Sequence, residues 1–323
     1  MPRALLTDRM WDLWVRPIAH LFTDAGWEIV HSRHKYPMTV AQIREQLPGI
    51  HALMCNDRDE VTAHAIAAGD VLKVISRTGV GYDNVDVAAA AARGIAVTIT
   101  PGTNAETVAD MVFGLMLGLS RQIAYADRRM RIGRWGPLDN HELWRKTLGL
   151  VGFGRIGQAV ARRARGFDLT VLAVEPQPNA VAVRNLGVEL TDLESLLRRA
   201  DFVSLHVPGG PATAKLINAR TLAWMRPTAC LINTARGSLV DEEALHAALT
   251  EGRLAGAAVD VWDPEPPDMA SPLLVLDNVI ATPHLAGNSL ESRHRMGVMA
   301  VQNCLAALTG TLDRDVVVAG PGA

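Results

Sequence analysis

One stretch, TLGLVGFGRIGQAVARRARGFDLTVLAVEP at 147–176, limits the fold more than any other part of the chain. An apolar run at 148–151 passes straight into Gly152-Phe153-Gly154-Arg155-Ile156-Gly157. A helical stretch follows through Arg165, and a second apolar run, 170–174, ends at Glu175. Strand, glycine turn, helix and strand in this order make the βαβ unit that holds a dinucleotide. Gly152 permits the tight turn, Gly154 lets backbone approach a pyrophosphate, and Gly157 lets helix and strand pack closely. The first helical turn, with Arg155 and Ile156, points its N–H groups and the positive end of its dipole at the phosphates. Glu175 lies 18 residues beyond Gly157, near the spacing of about 20 for the carboxylate that accepts from ribose hydroxyls. Such a carboxylate repels a 2′-phosphate, and no Arg follows it directly, so NAD is expected rather than NADP.

The rest of the chain repeats the alternation. Strands are expected at 4–7, 27–31, 52–55, 73–76 and 95–98, then at 148–151, 170–174, 202–206, 229–233, 257–261 and 279–282. Helical stretches lie between them, including 39–46 and 85–93, which is the signature of parallel sheets in an α/β protein. Pro101-Gly102 punctuates the chain before Asn104, a candidate N-cap for a helix at 106–120. A second helical stretch, 291–308, follows the punctuation at 283–288. With 323 residues, about two domains are expected. The expectation is two doubly wound domains, the one at 101–288 inserted into a discontinuous domain formed by 1–100 and 289–323. The terminal DVVVAGPGA reads as a strand end and a frayed tail.

Composition removes several classes. Lys plus Arg total 32 against 34 Asp plus Glu, a net charge of −2, which gives no broad attraction to nucleic acid or an anionic membrane. Cys55, Cys230 and Cys304 are far apart and odd in number, so neither a disulfide framework nor a metal site is expected, and a reducing cytoplasm fits. The N-terminus carries Asp8 and Asp12 and no long apolar run, unlike a signal peptide.

Three further segments place polar residues in turns after buried strands, where open α/β sheets bind ligands. In CLINTARGSLVDEEAL, Arg236-Gly237 follow the strand end at Asn233, and Asp241 can cap the next helix. A planar guanidinium on such a turn suits a carboxylate. GAAVDVWDPEPP carries Asp260, Asp263 and Glu265 in a proline-stiffened loop, and VIATPHLAG places His284 after Pro283. A lone His is more often structural, and a lone acidic loop is more often a solvated turn. Together on neighbouring strand ends, Glu265 would hold the His284 imidazole in one tautomer and raise its basicity. Arg236, Glu265 and His284 beside a nicotinamide would suffice to reduce a 2-oxo acid: Arg236 clamps the carboxylate and polarises the carbonyl, and His284 supplies the proton.

At this point the chain resembles the D-isomer-specific 2-hydroxyacid dehydrogenase family. RTGVGYDNVDV, TPGTNAETVAD, TLGLVGFGRIG, LHVPGGPATAKLIN, INTARGSLVDEEAL, GAAVDVWDPEP and TPHLAG occur in the family's order over nearly its whole length. The resemblance implies two flavodoxin- or Rossmann-like domains and a homodimer built through a helix and arm near 104–146. It makes Arg236, Glu265 and His284 the catalytic residues and gives Asp260 the nicotinamide carboxamide. Thr107, Val207, Pro208, Thr213, Thr234, Ala235 and Gly287 become cofactor contacts alongside Gly152, Gly154, Arg155, Ile156, Gly157, Glu175 and His284. Val80 and Gly81 become backbone donors to the substrate carboxylate.

Within the family the chain is most like phosphoglycerate dehydrogenases, and Arg77 sits where those enzymes often carry a basic residue facing an anionic substrate tail. Gly136 and Pro137 after Trp135 depart from the basic residues usual there, and Gly209-Gly210 replace the usual Leu-Thr. The chain stops at Ala323, so the regulatory amino-acid-binding domain of longer relatives is not expected. Arg58, Arg77, Trp135 and His141 are further candidates for lining a substrate pocket. Alternative readings are a phosphite dehydrogenase, which keeps Arg, Glu and His, and a nucleotide-sensing module like the C-terminal-binding-protein corepressors. Formate oxidation is disfavoured, because formate dehydrogenases pair the His with Gln.

Overall fold

The computed structural model describes residues 1–7 and 16–323; Asp8 and Asp12 lie outside the described residues. The chain forms two compact units, one of Met1–Asn104 with Asn288–Ala323 and the other of Ala105–Gly287. The first crossing therefore falls four residues later than the punctuation suggested. Thr103 Oγ1 donates to the Thr100 carbonyl at 2.8 Å, which keeps the Pro101-Gly102 turn with the first unit. The cap bond expected of Asn104 is not made: its Oδ1 is buried without a hydrogen-bond partner among the described residues.

The first unit is built on β1 (Arg3–Leu6), β2 (Glu28–His31), β3 (Ala52–Cys55), β4 (Val74–Arg77) and β5 (Ala96–Thr98). These strands are parallel in the order β5-β4-β3-β1-β2, the flavodoxin-like arrangement. Alternate residues face opposite sides. Leu5, Leu53, Ile75 and Val97 pack on one face with Ile43 of the helix Val40–Gln46 and with Leu47 at its C-cap. Ala4, Ala52, Val74 and Ala96 pack with Ala300, Val301 and Cys304 of the helix Leu290–Thr309 on the other. That helix is fixed by Ser76 Oγ donating to the Ala300 carbonyl at 3.0 Å and Asn303 Nδ2 donating to the Ile99 carbonyl at 3.0 Å. The chain's end thus completes the first unit.

The second unit holds β6 (Thr147–Val151), β7 (Thr170–Val174), β8 (Glu189–Leu190), β9 (Phe202–Leu205), β10 (Cys230–Asn233), β11 (Gly256–Val259) and β12 (Val279–Ala281). All are parallel, in the order β12-β11-β10-β9-β6-β7-β8. Both faces are covered. The helices Ala105–Ser120 and Arg155–Ala164 supply Val108, Val112, Met116 and Val160 on one side. Leu193–Arg199 and Glu242–Thr250 supply Leu196, Leu197, Leu245 and Leu249 on the other. Two-sided burial explains why β9 to β11 are buried at every position and carry mostly small or apolar residues rather than a polar–apolar alternation. β6 and β9 are neighbours although β7 and β8 intervene in sequence, so the chain reverses its winding between them. At such a switch point the loops splay and leave room for a ligand.

One strand was not anticipated: β8 has two exposed residues and no apolar pattern. The strand end expected in the final segment is β13 (Val317–Ala319), which pairs antiparallel with β5, Val317 opposite Thr98. No helix among the described residues is long and apolar enough to cross a membrane.

Candidate active site

The glycine turn joins β6 to the helix Arg155–Ala164 at the switch point. Gly152 has φ +99, and a Cβ there would lie 2.6 Å from the His206 carbonyl oxygen at the end of β9. A Cβ on Gly157 would overlap the Gly152 carbonyl oxygen, so the helix can sit this close only without a side chain. Gly154 differs from both. It precedes the helix without a side-chain cap, and a Cβ there meets nothing within 4 Å. The space over Gly154, at the positive end of a helix of 10 residues, fits a pyrophosphate. Glu175 completes the turn from β7: its carboxylate accepts from Phe153 N at 2.9 Å and Gln177 N at 3.2 Å. This ties the expected ribose carboxylate to the glycine turn itself. Thr234 Oγ1, in the loop after β10, is buried without a hydrogen-bond partner among the described residues, an orphaned group that a bound cofactor would satisfy. These residues fit NAD.

The loop after β9 is closed on itself by Thr213, whose Oγ1 donates to the Pro208 carbonyl at 2.7 Å. Val207 packs beside Gly152, its Cγ1 3.1 Å from where a Cβ would be. Thr107 lies partly buried in the helix Ala105–Ser120, and Gly287 is the last residue of the second unit.

After β10 the chain turns sharply, and Asn233 supports the turn. Its Oδ1 accepts from Ala235 N at 3.1 Å and its Nδ2 donates to the Arg236 carbonyl at 2.8 Å. Arg236 Nη1 donates to the Ala235 carbonyl at 2.7 Å. Gly237 is required by its surroundings: a Cβ there would overlap the Trp262 carbonyl and lie 2.6 Å from Asp263 N. The arginine turn therefore rests directly on the backbone of the loop after β11.

That loop carries Glu265 to the histidine that follows β12. Glu265 Oε2 meets His284 Nδ1 at 2.8 Å, and its Oε1 accepts from Trp262 N at 3.0 Å. Trp262, 5% exposed, also donates from Nε1 to the Thr282 carbonyl at 3.1 Å. Trp262 thus touches the arginine turn, the glutamate and the strand end before the histidine, a supporting part that sequence reasoning missed. A large aromatic within an acidic, proline-rich loop was the available signal, since such a side chain folds inward.

His284 adopts φ +54, a left-handed conformation that costs a non-glycine residue about 1 kcal/mol or more. Asp260, fully buried, holds it there. The Asp260 carbonyl accepts from His284 N at 2.7 Å. Its carboxylate accepts from Leu285 N and Ala286 N at 2.8 Å each, and from the Thr282 hydroxyl. The resemblance gave Asp260 the nicotinamide carboxamide; in the structure its oxygens bind the turn that presents His284. With Nδ1 committed to Glu265, proton exchange with a substrate falls to Nε2.

In the first unit, Arg77 ends β4 at 7% exposure. Its Nη1 donates to the Thr78 carbonyl, and a Cβ on Gly79 would overlap it. A side chain folded onto its own loop is not displayed toward an anionic tail, so that part expected of Arg77 is not carried forward. The following loop, with Val80 exposed, is tied to the loop after β3 by Asn84 Nδ2, which donates to the Asn56 and Asp59 carbonyls at 2.8 Å. Arg58 in that second loop lies over the Tyr36 ring, 5.2 Å from its centroid. Trp135 is 86% exposed, and His141 N donates to the Ser120 carbonyl at 2.9 Å. Among the described residues no group of three His, Cys, Asp or Glu is arranged to hold a metal.

Residues 113–286 match the family described as D-isomer specific 2-hydroxyacid dehydrogenase, NAD binding domain. The chain is 41% identical to a glyoxylate reductase of Korarchaeum cryptofilum, over 98% of its own length and 96% of the relative's. It is 39% identical to a D-3-phosphoglycerate dehydrogenase of Methanocaldococcus jannaschii, over 87% of this chain and 54% of that protein. Among solved structures, a glyoxylate reductase from Paecilomyes thermophila superposes with a TM-score of 0.87 at 28% identity, covering 98% of each chain.

Proposed function

The chain belongs to the D-isomer specific 2-hydroxyacid dehydrogenase family, and we propose that it acts as a reductase of short 2-oxo acids such as glyoxylate and hydroxypyruvate, with Arg236 as carboxylate clamp and His284 as proton donor. Membership makes it an NAD-dependent oxidoreductase acting on small 2-oxo or 2-hydroxy acids. When bound, the cofactor supplies the hydride for reduction. The chain's own residues do the rest. Arg236 pairs with the substrate carboxylate and draws electron density toward the carbonyl oxygen. His284, as the imidazolium, donates its Nε2 proton to the developing alkoxide. Glu265 fixes the ring and stabilises its charged form.

The observation that carries this reading is the 2.8 Å contact between Glu265 and His284, on a loop whose backbone also seats the arginine turn through Gly237. A carboxylate, an imidazole and a guanidinium held by one packed block match the needs of 2-oxo acid reduction. The test is NADH consumption across glyoxylate, hydroxypyruvate, phosphohydroxypyruvate and branched 2-oxo acids, with phosphite oxidation run in parallel. Turnover of the short 2-oxo acids with D-configured products supports the reading; turnover of phosphite alone overturns it.

The same proposal includes a homodimer. Ile123, Met130, Ile132, Trp135 and Trp144 are 53% to 86% exposed within one short segment, an apolar surface that monomers rarely leave in water. Sedimentation of the purified protein reads out the state. The three cysteines are all buried and unpaired, which supports a reducing cytoplasm.

A further inference from the structure

Two adjacent glycines, Gly209 and Gly210, lie in the loop after β9, and they differ in what surrounds them. A Cβ on Gly210 meets nothing within 4 Å, but its φ is +139, so that glycine serves the backbone. Gly209 is not among the residues with left-handed backbone. A Cβ there would lie 3.1 Å from Arg236 Cγ, 3.4 Å from Arg236 Cβ and 3.4 Å from Ser238 Oγ. The stem of the arginine therefore lies against bare main chain at 209.

Arg236 has little freedom to yield on its other side. Its carbonyl is held by Asn233 Nδ2 at 2.8 Å, and the next residue, Gly237, is pressed on the Trp262–Asp263 peptide. With the backbone at 236–237 held, a side chain at 209 presses on the arginine stem, which yields by turning about its χ angles. That moves the guanidinium, the end that meets the substrate.

We infer that Gly209 is a positioning residue for the clamp: the absence of a side chain there sets the lean of Arg236 toward the loop at 207–213. A larger residue at 209 displaces the guanidinium. This inference rests on the reading of Arg236 as the carboxylate clamp.

The experiment compares Gly209→Ala and Gly209→Leu with wild type, using glyoxylate and a branched 2-oxo acid, and measures NADH affinity by fluorescence. Misplacement by a few tenths of an ångström at a clamp predicts about a tenfold loss of kcat/KM for Gly209→Ala, mainly through KM. Gly209→Leu should lose more with both acids, while NADH affinity stays within about twofold. Values of kcat/KM unchanged for both acids in Gly209→Ala overturn the inference, as does a loss traced entirely to NADH binding. Arg236→Gln separates the two levels. If Arg236→Gln keeps full turnover, the clamp reading itself falls. If Arg236→Gln is inactive while Gly209→Ala is unchanged, only the role of Gly209 falls.

Discussion

Replacing Glu265 by Gln probes the chemistry with little disturbance of shape. The amide can still accept from Trp262 N through its oxygen, a bond of 3.0 Å in the native loop, so the loop keeps its support. What changes is the group facing His284 Nδ1 at 2.8 Å: a charged acceptor becomes a neutral donor. At that separation an ion pair gains about 1.5 kcal/mol at the dielectric constant of water and about 6 kcal/mol at an effective value near 20. The side chains of His284 and Glu265 are 33% and 22% exposed, which places the loss between those limits, at about 3 kcal/mol. Each 1.36 kcal/mol is tenfold in rate, so reduction at neutral pH should slow by about two orders of magnitude. NADH affinity should stay unchanged. Stopped-flow NADH oxidation at neutral pH, with NADH binding titrated by fluorescence, measures both. A variant with wild-type turnover would refute the assignment of Glu265.

Gly237→Ala should be damaging out of proportion to one methyl group, because its Cβ would overlap the Trp262 carbonyl and neither backbone can retreat. A stability loss of about 1–3 kcal/mol together with a loss of turnover is expected, read from urea midpoints and kcat on the same preparation; retention of both contradicts the packing argument. His206, whose Nε2 lies 3.0 Å from Ser204 Oγ, is pushed down by burial from its ordinary 6.5 to about 4. The unfolded chain then takes up a proton before the folded one. The contribution of His206 to stability is complete above about 6.5 and is lost as pH falls toward about 4, by at most about 3 kcal/mol. Urea midpoints over that window should fall with pH in the wild type and less steeply in His206→Asn; equal slopes would sink the argument.

What could be read in the sequence was whatever is encoded locally. The glycine turn is legible because strand, turn and helix lie within thirty residues and each glycine answers a local steric need. The buried parallel strands are legible because two-sided burial leaves runs of mostly small or apolar residues. Short edge strands carry no such run, which is why β8 was missed. The strand end that became β13 was legible in its valines, but its partner was not, because β5 lies over two hundred residues earlier.

At the site, residue types suggested that Glu265 and His284 could meet, but only the fold shows the 2.8 Å contact. The parts of Gly237 and Trp262 depend on two loops pressing together across 25 positions, and no local pattern signals that. Asp260 illustrates a further limit. A buried carboxylate at a strand end can hold a ligand or hold its neighbours, and the hydrogen bonds to Leu285 N and Ala286 N become visible only once the turn is folded. Arg77 is similar, since the family resemblance suggested display toward an anionic tail while its burial depends on Gly79 making room.

The central claim is that His284, held by Glu265 beside the Arg236 turn, protonates a 2-oxo acid as hydride arrives. The most direct measurement is the single-turnover rate of NADH oxidation by glyoxylate in wild type and His284→Ala at saturating cofactor and substrate. The account predicts fast turnover in the wild type and a loss of about 10²–10⁴ in the variant, with NADH binding retained. A variant that reduces glyoxylate at the wild-type rate would contradict it.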